Sequence, residues 1–484
     1  MSIKNEVMLI TYADSMGRDL PELHDLLTTH FRDSVGGVHL LPFFPSSADR
    51  GFAPLTYEEV DSAFGSWTDI AALAADFTLM VDFMINHLSR RSAYYADFVR
   101  NKDRSPYRDL FITYRDFWPN GNPSQDELDL IYKRKPRAPY IEETFGDGST
   151  EQVWCTFDEE QIDLNCRSEV TRAFIARSLR GLAQRGASIV RLDAVAYATK
   201  RPGTSCFFVE PEIWKLLAWT QSALEPSDVA ILPEVHEHYT LQMKLAAHGY
   251  WVYDFALPML VLHALHTGAT ERLAHWLRIC PRRQFTSLDT HDGIGVVDVR
   301  DLLGEEEIAR TLESIYARGA NVKRIYSTAA YRNLDLYQLN CTYYSALGND
   351  DQAYLLARAL QFFTPGIPQV YYVGLLAGAN DIERLERTKI GRDINRHAYT
   401  REEVLRNLER PVVRRLLALM RFRNSYPTFD GTCRVVEGPA DGDLRVEWHN
   451  GGSRATLSAN LRTRDFSIRY RDLGSGEEQE LRDV

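Results

Sequence analysis

The sequence predicts an α/β protein: a (β/α)8 barrel with a small domain inserted after its third strand and a C-terminal antiparallel β domain. Three observations predict it. Eight short apolar runs recur along the chain, with helical patterns between most of them. One long stretch, about residues 88–166, breaks that alternation. The tail after about residue 427 switches to two-residue alternation with Gly-rich turns.

The eight candidate strands are VMLITY (7–12), VGGVHLLPF (35–43), FTLMVDFMIN (77–86), SIVRLDAV (188–195), VAILPEVH (229–236), YWVYDFAL (250–257), QFTSLDTHD (284–292) and GIPQVYYVG (366–374). Helical spacing lies between them. In SEVTRAFIARSLRGLAQRG, Val170, Phe174, Ile175, Leu179 and Leu182 recur on one face, and Gly186 supplies a stop. Strands alternating with helices imply parallel pairing with the helices outside. Eight such units imply a barrel whose site is built at the C-terminal strand ends. The aromatic and charged stretch that includes RRSAYYADF and KRKPRAPYIEETFGDGS is too long for a loop and reads as an inserted domain. LRVEWH and RATLSANL give the tail its β character. The expected units are residues 1–87 with 167–426 for the barrel, 88–166 for the insert and 427–484 for the β domain.

Composition narrows the class. A chain of 484 residues exceeds one ordinary core, and 44% hydrophobic with 25% charged residues describes a soluble globular protein. Lys and Arg number 56 against 67 Asp and Glu, a net charge of −11, which argues against nucleic acid as a partner. No apolar run approaches the roughly 20 residues that span a bilayer, and the N-terminus does not read as a signal peptide. The six cysteines, at 155, 166, 206, 280, 341 and 433, form no Cys-x-x-Cys pair. They are expected as reduced thiols of a cytoplasmic protein, without zinc. HEHY (236–239) misses the HExxH spacing by one residue. Neither a cofactor nor a metal is expected, and no lysine signals a pyridoxal phosphate Schiff base. The expected state is a monomer or homodimer.

The chemistry lies in the acids at the strand ends. Strand three ends with Asp82, Asn86 and His87, strand four carries Arg191 and Asp193, strand five ends with Glu234, and strand seven with His291 and Asp292. One acid at a strand end is ordinary capping or a surface ion pair. Several at the same ends of successive barrel strands must be paired or solvated in a site. Two carboxyl groups, one ionised and one protonated, suit cleavage of a glycosidic bond. Asp193 is the expected nucleophile. Arg191 lies two residues earlier on the same face and is expected to hold it ionised by lowering its pKa. Glu234, in phase with Leu232 and His236, is the expected general acid/base, kept protonated beside ionised Asp193. Asp292 is the expected stabiliser of developing positive charge.

DFMINH (82–87), RLDAVAY (191–197), PEVH (233–236) and THD (290–292) resemble, in order, the motifs of the α-amylase-like superfamily of α-retaining glycoside enzymes. Within it, GGVHLLPFFPSSADRGFAP (36–54), LDTHDGIGVVD (288–298), NLDLYQLN (333–340) and GRDINRH (391–397) are most similar to the sucrose phosphorylases. The resemblance implies transfer of glucose from sucrose to inorganic phosphate through a glucosyl–Asp193 intermediate. It implies that His87 and His291 bind glucose hydroxyls and that Asp49 and Arg392 cap the far end of the sugar. Phe52, Phe157 and Tyr197 would present ring faces, with Gln161 among the binding residues. Arg134, within KRKPR (133–137), matches the phosphate-binding arginine. Asp335 and Gln338 would bind fructose and Tyr337 phosphate. Related disaccharide phosphorylases acting on sucrose 6′-phosphate, glucosylglycerol or glucosylglycerate remain alternatives, as does an α-glucoside hydrolase. A catalytically silent transporter ectodomain would lack the carboxylates this chain keeps.

Overall fold

The computed structural model describes residues 3–135, 137–320, 338–438 and 440–482. Each of the eight apolar runs contains a strand: β1 (Met8–Thr11), β2 (Gly37–Leu40), β3 (Thr78–Met84), β4 (Ile189–Asp193), β5 (Ala230–Pro233), β6 (Val252–Asp254), β7 (Gln284–Ser287) and β8 (Ile367–Tyr371). All ladders between them are parallel, in the order β6-β7-β8-β1-β2-β3-β4-β5. This is a barrel in chain order, opened between β5 and β6, which still adjoin. At β3, β5 and β7 the polar residues that end the run, Asn86, Glu234 with His236, and Asp289 with His291 and Asp292, lie beyond the strand in loops at the barrel mouth.

Alternation sorts the barrel interior into layers. Met8, Met80, Ile189, Leu232, Tyr253, Phe285 and Ile367 pack into one buried cluster that plugs the barrel. Two residues further along β3 and β4 the inward positions become Asp82 and Arg191, both buried. The helix predicted from SEVTRAFIARS forms over Glu169–Gln184 and buries Phe174, Ile175, Leu179 and Leu182 outside the barrel.

The segment after β3 carries its own elements. His87–Ser89 pairs antiparallel with Gln161–Asp163, and Tyr140–Thr144 forms a hairpin with Thr150–Trp154. A five-stranded antiparallel sheet closes the chain, from Thr432–Glu437 to Glu478–Glu480. Trp448 of this sheet donates its indole N–H to the Phe363 carbonyl at 2.9 Å, tying the sheet to a barrel helix.

One buried cation fastens the inserted segment to the barrel. The Lys200 ammonium lies 2.8 Å from Asp163 Oδ2, 3.0 Å from Asn86 Oδ1 and 2.5 Å from the Tyr197 carbonyl. Asp163 also accepts from the Thr156 backbone N–H and hydroxyl and from the Asn86 amide. The lysine follows β4, the asparagine follows β3, and the aspartate belongs to the insert. Removing one member leaves a buried charge without its counter-charge. Lys200→Met is therefore expected to destabilise the fold by about 3–5 kcal/mol, measured by urea unfolding; a loss below about 1 kcal/mol, the level of an exposed pair, would contradict this role.

Candidate active site

β4 faces Ile189, Arg191 and Asp193 into the barrel, as the two-residue period requires. At the centre sits the Arg191 guanidinium, on a side chain 3% exposed. Its Nη1 donates to Asp82 Oδ1 at 2.5 Å and to Asp193 Oδ1 at 2.9 Å, and its Nη2 lies 3.7 Å from Glu234 Oε1. His39 of β2 reaches the other oxygen of Asp82 at 2.8 Å. Immediately after β4, Ala194 adopts left-handed backbone angles, φ 54° and ψ 29°, and donates its N–H to Glu234 Oε2 at 2.9 Å. A residue with a Cβ held in that region stores strain, which clusters at functional sites. Here the strain aims a backbone donor at the carboxyl from β5.

A second charged set closes the other side of the mouth. Arg392 Nη1 lies 3.0 Å from Asp292 Oδ1 and 3.5 Å from Asp49 Oδ2. Arg396 Nη1 stands 3.7 Å from Asp49 Oδ1, and its Nε donates to the His291 carbonyl at 2.9 Å. His291 Nε2 is 3.3 Å from Asp292 Oδ2, and its ring stacks on Phe52, centroids 4.8 Å apart with an interplanar angle of 3°. Asp49 and Arg50 both have positive φ, 49° and 51°, and Gly51 has φ 107°. A Cβ at Gly51 would lie 2.7 Å from the Pro42 carbonyl oxygen, so glycine is required where this turn crosses the chain.

The aromatic and insert residues complete the rim. The Phe157 ring sits between His87 (5.5 Å) and Tyr197 (5.1 Å). The Phe52 carbonyl accepts from Gln161 Nε2 at 2.9 Å and lies 2.8 Å from His87 Nε2. Arg134 acts electrostatically on the Tyr197 phenol, whose pKa burial raises and Arg134 lowers. Gln338 Nε2 lies 3.3 Å from His236 Nε2. Asp335 and Tyr337 lie outside the described residues.

The electrostatics correct one expectation. Arg191 does pull the Asp193 pKa down, but burial pushes it up more strongly, with Glu234, Asp82 and Asp292 adding repulsion. The net direction for Asp193 is well above the ordinary carboxyl range. Asp82 goes the other way: against the push of burial, Arg191 and His39 hold it low. Asp292 is also held low against burial, by His291, Arg392, Arg191 and Arg396. Burial drives His291 well below its ordinary value and lowers His87 as well, so both rings are neutral at neutral pH. The mouth thus retains a proton among carboxyls that share one guanidinium.

Sequence reasoning missed the structural partners. The sequence shows Asp82 at a strand end without giving it a role and His236 only within HEHY and in phase with Glu234, and it leaves His39 and Arg396 unmarked. The signal for His39 was available: it is a polar residue within an otherwise apolar strand, like Arg191. One donor atom each of Glu234, His236 and Asp292 lies within 4.8 Å of the others, spacing that could accept a cation.

Residues 34–253 match the alpha-amylase catalytic domain family. The chain is 54% identical to the sucrose phosphorylase of Streptococcus mutans, covering 97% of this chain and 98% of that one. It is 44% identical to the glucosylglycerol phosphorylase of Marinobacter adhaerens, over 99% of this chain and 100% of the relative. The crystal structure of sucrose 6F-phosphate phosphorylase from Thermoanaerobacter thermosaccharolyticum superposes with a TM-score of 0.95 at 45% identity, covering 99% of this chain and 98% of that one. With likeness of this extent along nearly its whole length, the chain belongs to the α-amylase-like family of glycosyl-transferring phosphorylases that includes sucrose phosphorylase and glucosylglycerol phosphorylase.

Proposed function

We propose that the protein is a sucrose phosphorylase. It transfers glucose from sucrose to inorganic phosphate and yields α-D-glucose 1-phosphate and fructose. The observation that carries this reading is the single guanidinium of Arg191 touching both Asp193 and Glu234. Two carboxyls that share one guanidinium suit the retaining double displacement, which needs them about 5–5.5 Å apart.

In the first half-reaction Glu234 gives its proton to the glycosidic oxygen while Asp193 attacks C1. Positive charge develops at C1 beside Asp193 and Asp292, and it favours the ionised form of Asp193 that burial and the neighbouring carboxyls disfavour. Once Asp193 is esterified, the Glu234 carboxylate left by the first step takes the proton of the incoming acceptor. His87 and His291, both neutral, serve sugar hydroxyls, and the Asp49–Arg392 pair closes the far end of the glucose. Within the 133–137 run two cations have structural work. Lys133 is buried and 3.6 Å from Asp129, and Arg137 donates to the carbonyls of Ala138, Tyr140 and Phe157. Arg134 is the one whose charge reaches Tyr197 beside the mouth, which supports it as the phosphate ligand, with Asp335, Tyr337 and Gln338 on the acceptor side.

A second reading is a related phosphorylase with another leaving group, favoured by the 44–45% identity to the glucosylglycerol and sucrose 6F-phosphate enzymes. We place the activity in the cytoplasm, supported by six cysteines that are all free thiols. No helix among the described residues is long and apolar enough to cross a membrane.

Glucose 1-phosphate formation from sucrose, sucrose 6′-phosphate, glucosylglycerol and glucosylglycerate, each with and without phosphate, tests the reading. Sucrose with phosphate is expected to be fastest; equal sugar release in phosphate-free buffer would instead mark a hydrolase. Glu234→Gln should cost roughly 10²–10⁴-fold in sucrose turnover, read as kcat, while Arg134→Ala should raise the KM for phosphate.

Asp193→Asn should abolish turnover yet stabilise the fold. A carboxyl whose folded pKa is raised opposes folding once the pH exceeds its unfolded value, about 3.9. The variant should therefore melt higher than the wild type at pH 7, with the gain shrinking as the pH falls towards about 4. A lower melting temperature at pH 7 would refute this electrostatic assignment.

A further inference from the structure

The proposed chemistry leaves one buried carboxylate beside the site without a task. Asp298 is 2% exposed and lies in the turn Val297–Val299. Its Oδ2 is 3.5 Å from His236 Nδ1. The other nitrogen of that ring, Nε2, is 3.7 Å from Glu234 Oε1 and 3.3 Å from Gln338 Nε2. The ring itself lies against Phe255, centroids 3.6 Å apart and 16° from parallel, which fixes its plane. Gly295 makes room for this arrangement. A Cβ there would stand 2.4 Å from Asp298 Oδ2 and 3.6 Å from His236 Nδ1. The chain thus aligns a carboxylate, an imidazole and the Glu234 carboxyl in a row.

We propose that Asp298 is a positioning residue for glucosyl transfer: through His236 it sets the orientation and proton of the acid/base Glu234. Asp298 accepts the Nδ1–H of His236, which fixes that tautomer and presents the unprotonated Nε2 to Glu234 and Gln338. The Glu234 proton is then held by a neutral acceptor, ready for the glycosidic oxygen. When the C1–O bond of the substrate breaks, that proton leaves Glu234 for the departing sugar, and C1 bonds to Asp193. The Glu234 carboxylate left behind faces a neutral ring whose plane is already set. Both spacings are long for hydrogen bonds, and catalytic contacts of this kind tighten when substrate binds. Burial raises the Asp298 pKa and the neighbouring Glu237 carboxylate adds to that, while the contact with His236 and a backbone hydrogen bond lower it.

The proposal rests on Glu234 acting as the acid, and a substrate that needs no acid isolates it. α-Glucosyl fluoride carries a leaving group that departs without protonation, whereas sucrose requires it. Asp298→Asn is expected to lower kcat on sucrose roughly 10- to 100-fold, less than loss of the acid itself, while α-glucosyl fluoride with phosphate reacts within about threefold of wild type. A merely structural role would lower both rates together, and that result would overturn the proposal. His236→Gln should show the same split even if the Asp298 variant fails to fold, and equal losses on the two substrates in that variant would also overturn it. Where both fold, the double variant should be no slower on sucrose than His236→Gln alone, because the carboxylate acts only through the ring; additive losses would refute the linkage. A wild-type protein that forms no glucose 1-phosphate from sucrose overturns the functional reading and this proposal together, and that result appears before any substitution is made.

Discussion

The Arg191 guanidinium is the charge around which the barrel mouth is arranged. It is buried, it cannot give up its proton, and it touches Asp82, Asp193 and Glu234 at 2.5, 2.9 and 3.7 Å. Leaving such an ion unpaired in the interior would cost several kcal/mol. Pairing it with one carboxylate would balance it. Three gather there, and the fourth, Asp292, adds repulsion from across the mouth. The flanking histidine His291 is neutral and supplies no further cation at neutral pH. The surplus negative charge is therefore met by retaining a proton. The raised Asp193 pKa is the mark of that imbalance.

The same logic explains why Asp292 and Asp193 differ although both are buried carboxyls in one cavity. Against burial, Asp292 has the guanidinium groups of Arg392, Arg191 and Arg396 acting on it and stays ionised. Asp193 has one cation, already shared with two other acids. Two environments thus push two acids apart, the general means by which a site assigns different work to identical groups. The geometry that permits this is held under strain. Positive φ at Asp49, Arg50 and Ala194 falls at the turn that pairs with Arg392 and directly after Asp193, the proposed nucleophile.

Much of this was legible in the sequence because barrel strands bury both faces and read as apolar runs, which makes a polar residue within one conspicuous. Arg191, Asp193 and Glu234 stood out for that reason, and their common orientation followed from the two-residue period. What could not be read is anything that depends on a count of neighbours. The single pull of Arg191 on Asp193 was visible, but the three opposing carboxyls and the burial that outweighs it were not. Lys200 gave no signal either. In AYATK it reads as a solvated lysine after a turn, and its partners Asn86 and Asp163 are distant in the chain. Arg396 acts across a gap of 105 residues on the His291 carbonyl, a distance that no local pattern encodes.

The two sides of the mouth come from different parts of the chain, and this separates their chemical work. Asp49, Arg392, His291 and Asp292 belong to barrel loops joined by ion pairs, a rigid cap against which a sugar with fixed hydroxyls can be matched. Arg134, Phe157 and Gln161 belong to the insert, which is fastened beneath by the Lys200–Asp163 pair and not by barrel ladders. The anchor lies next to the catalytic strands, since Lys200 also holds the Tyr197 carbonyl just after β4. A site built in this way can keep glucose and its covalent chemistry fixed while the group that leaves, or the one that arrives, is chosen by a separately tethered surface.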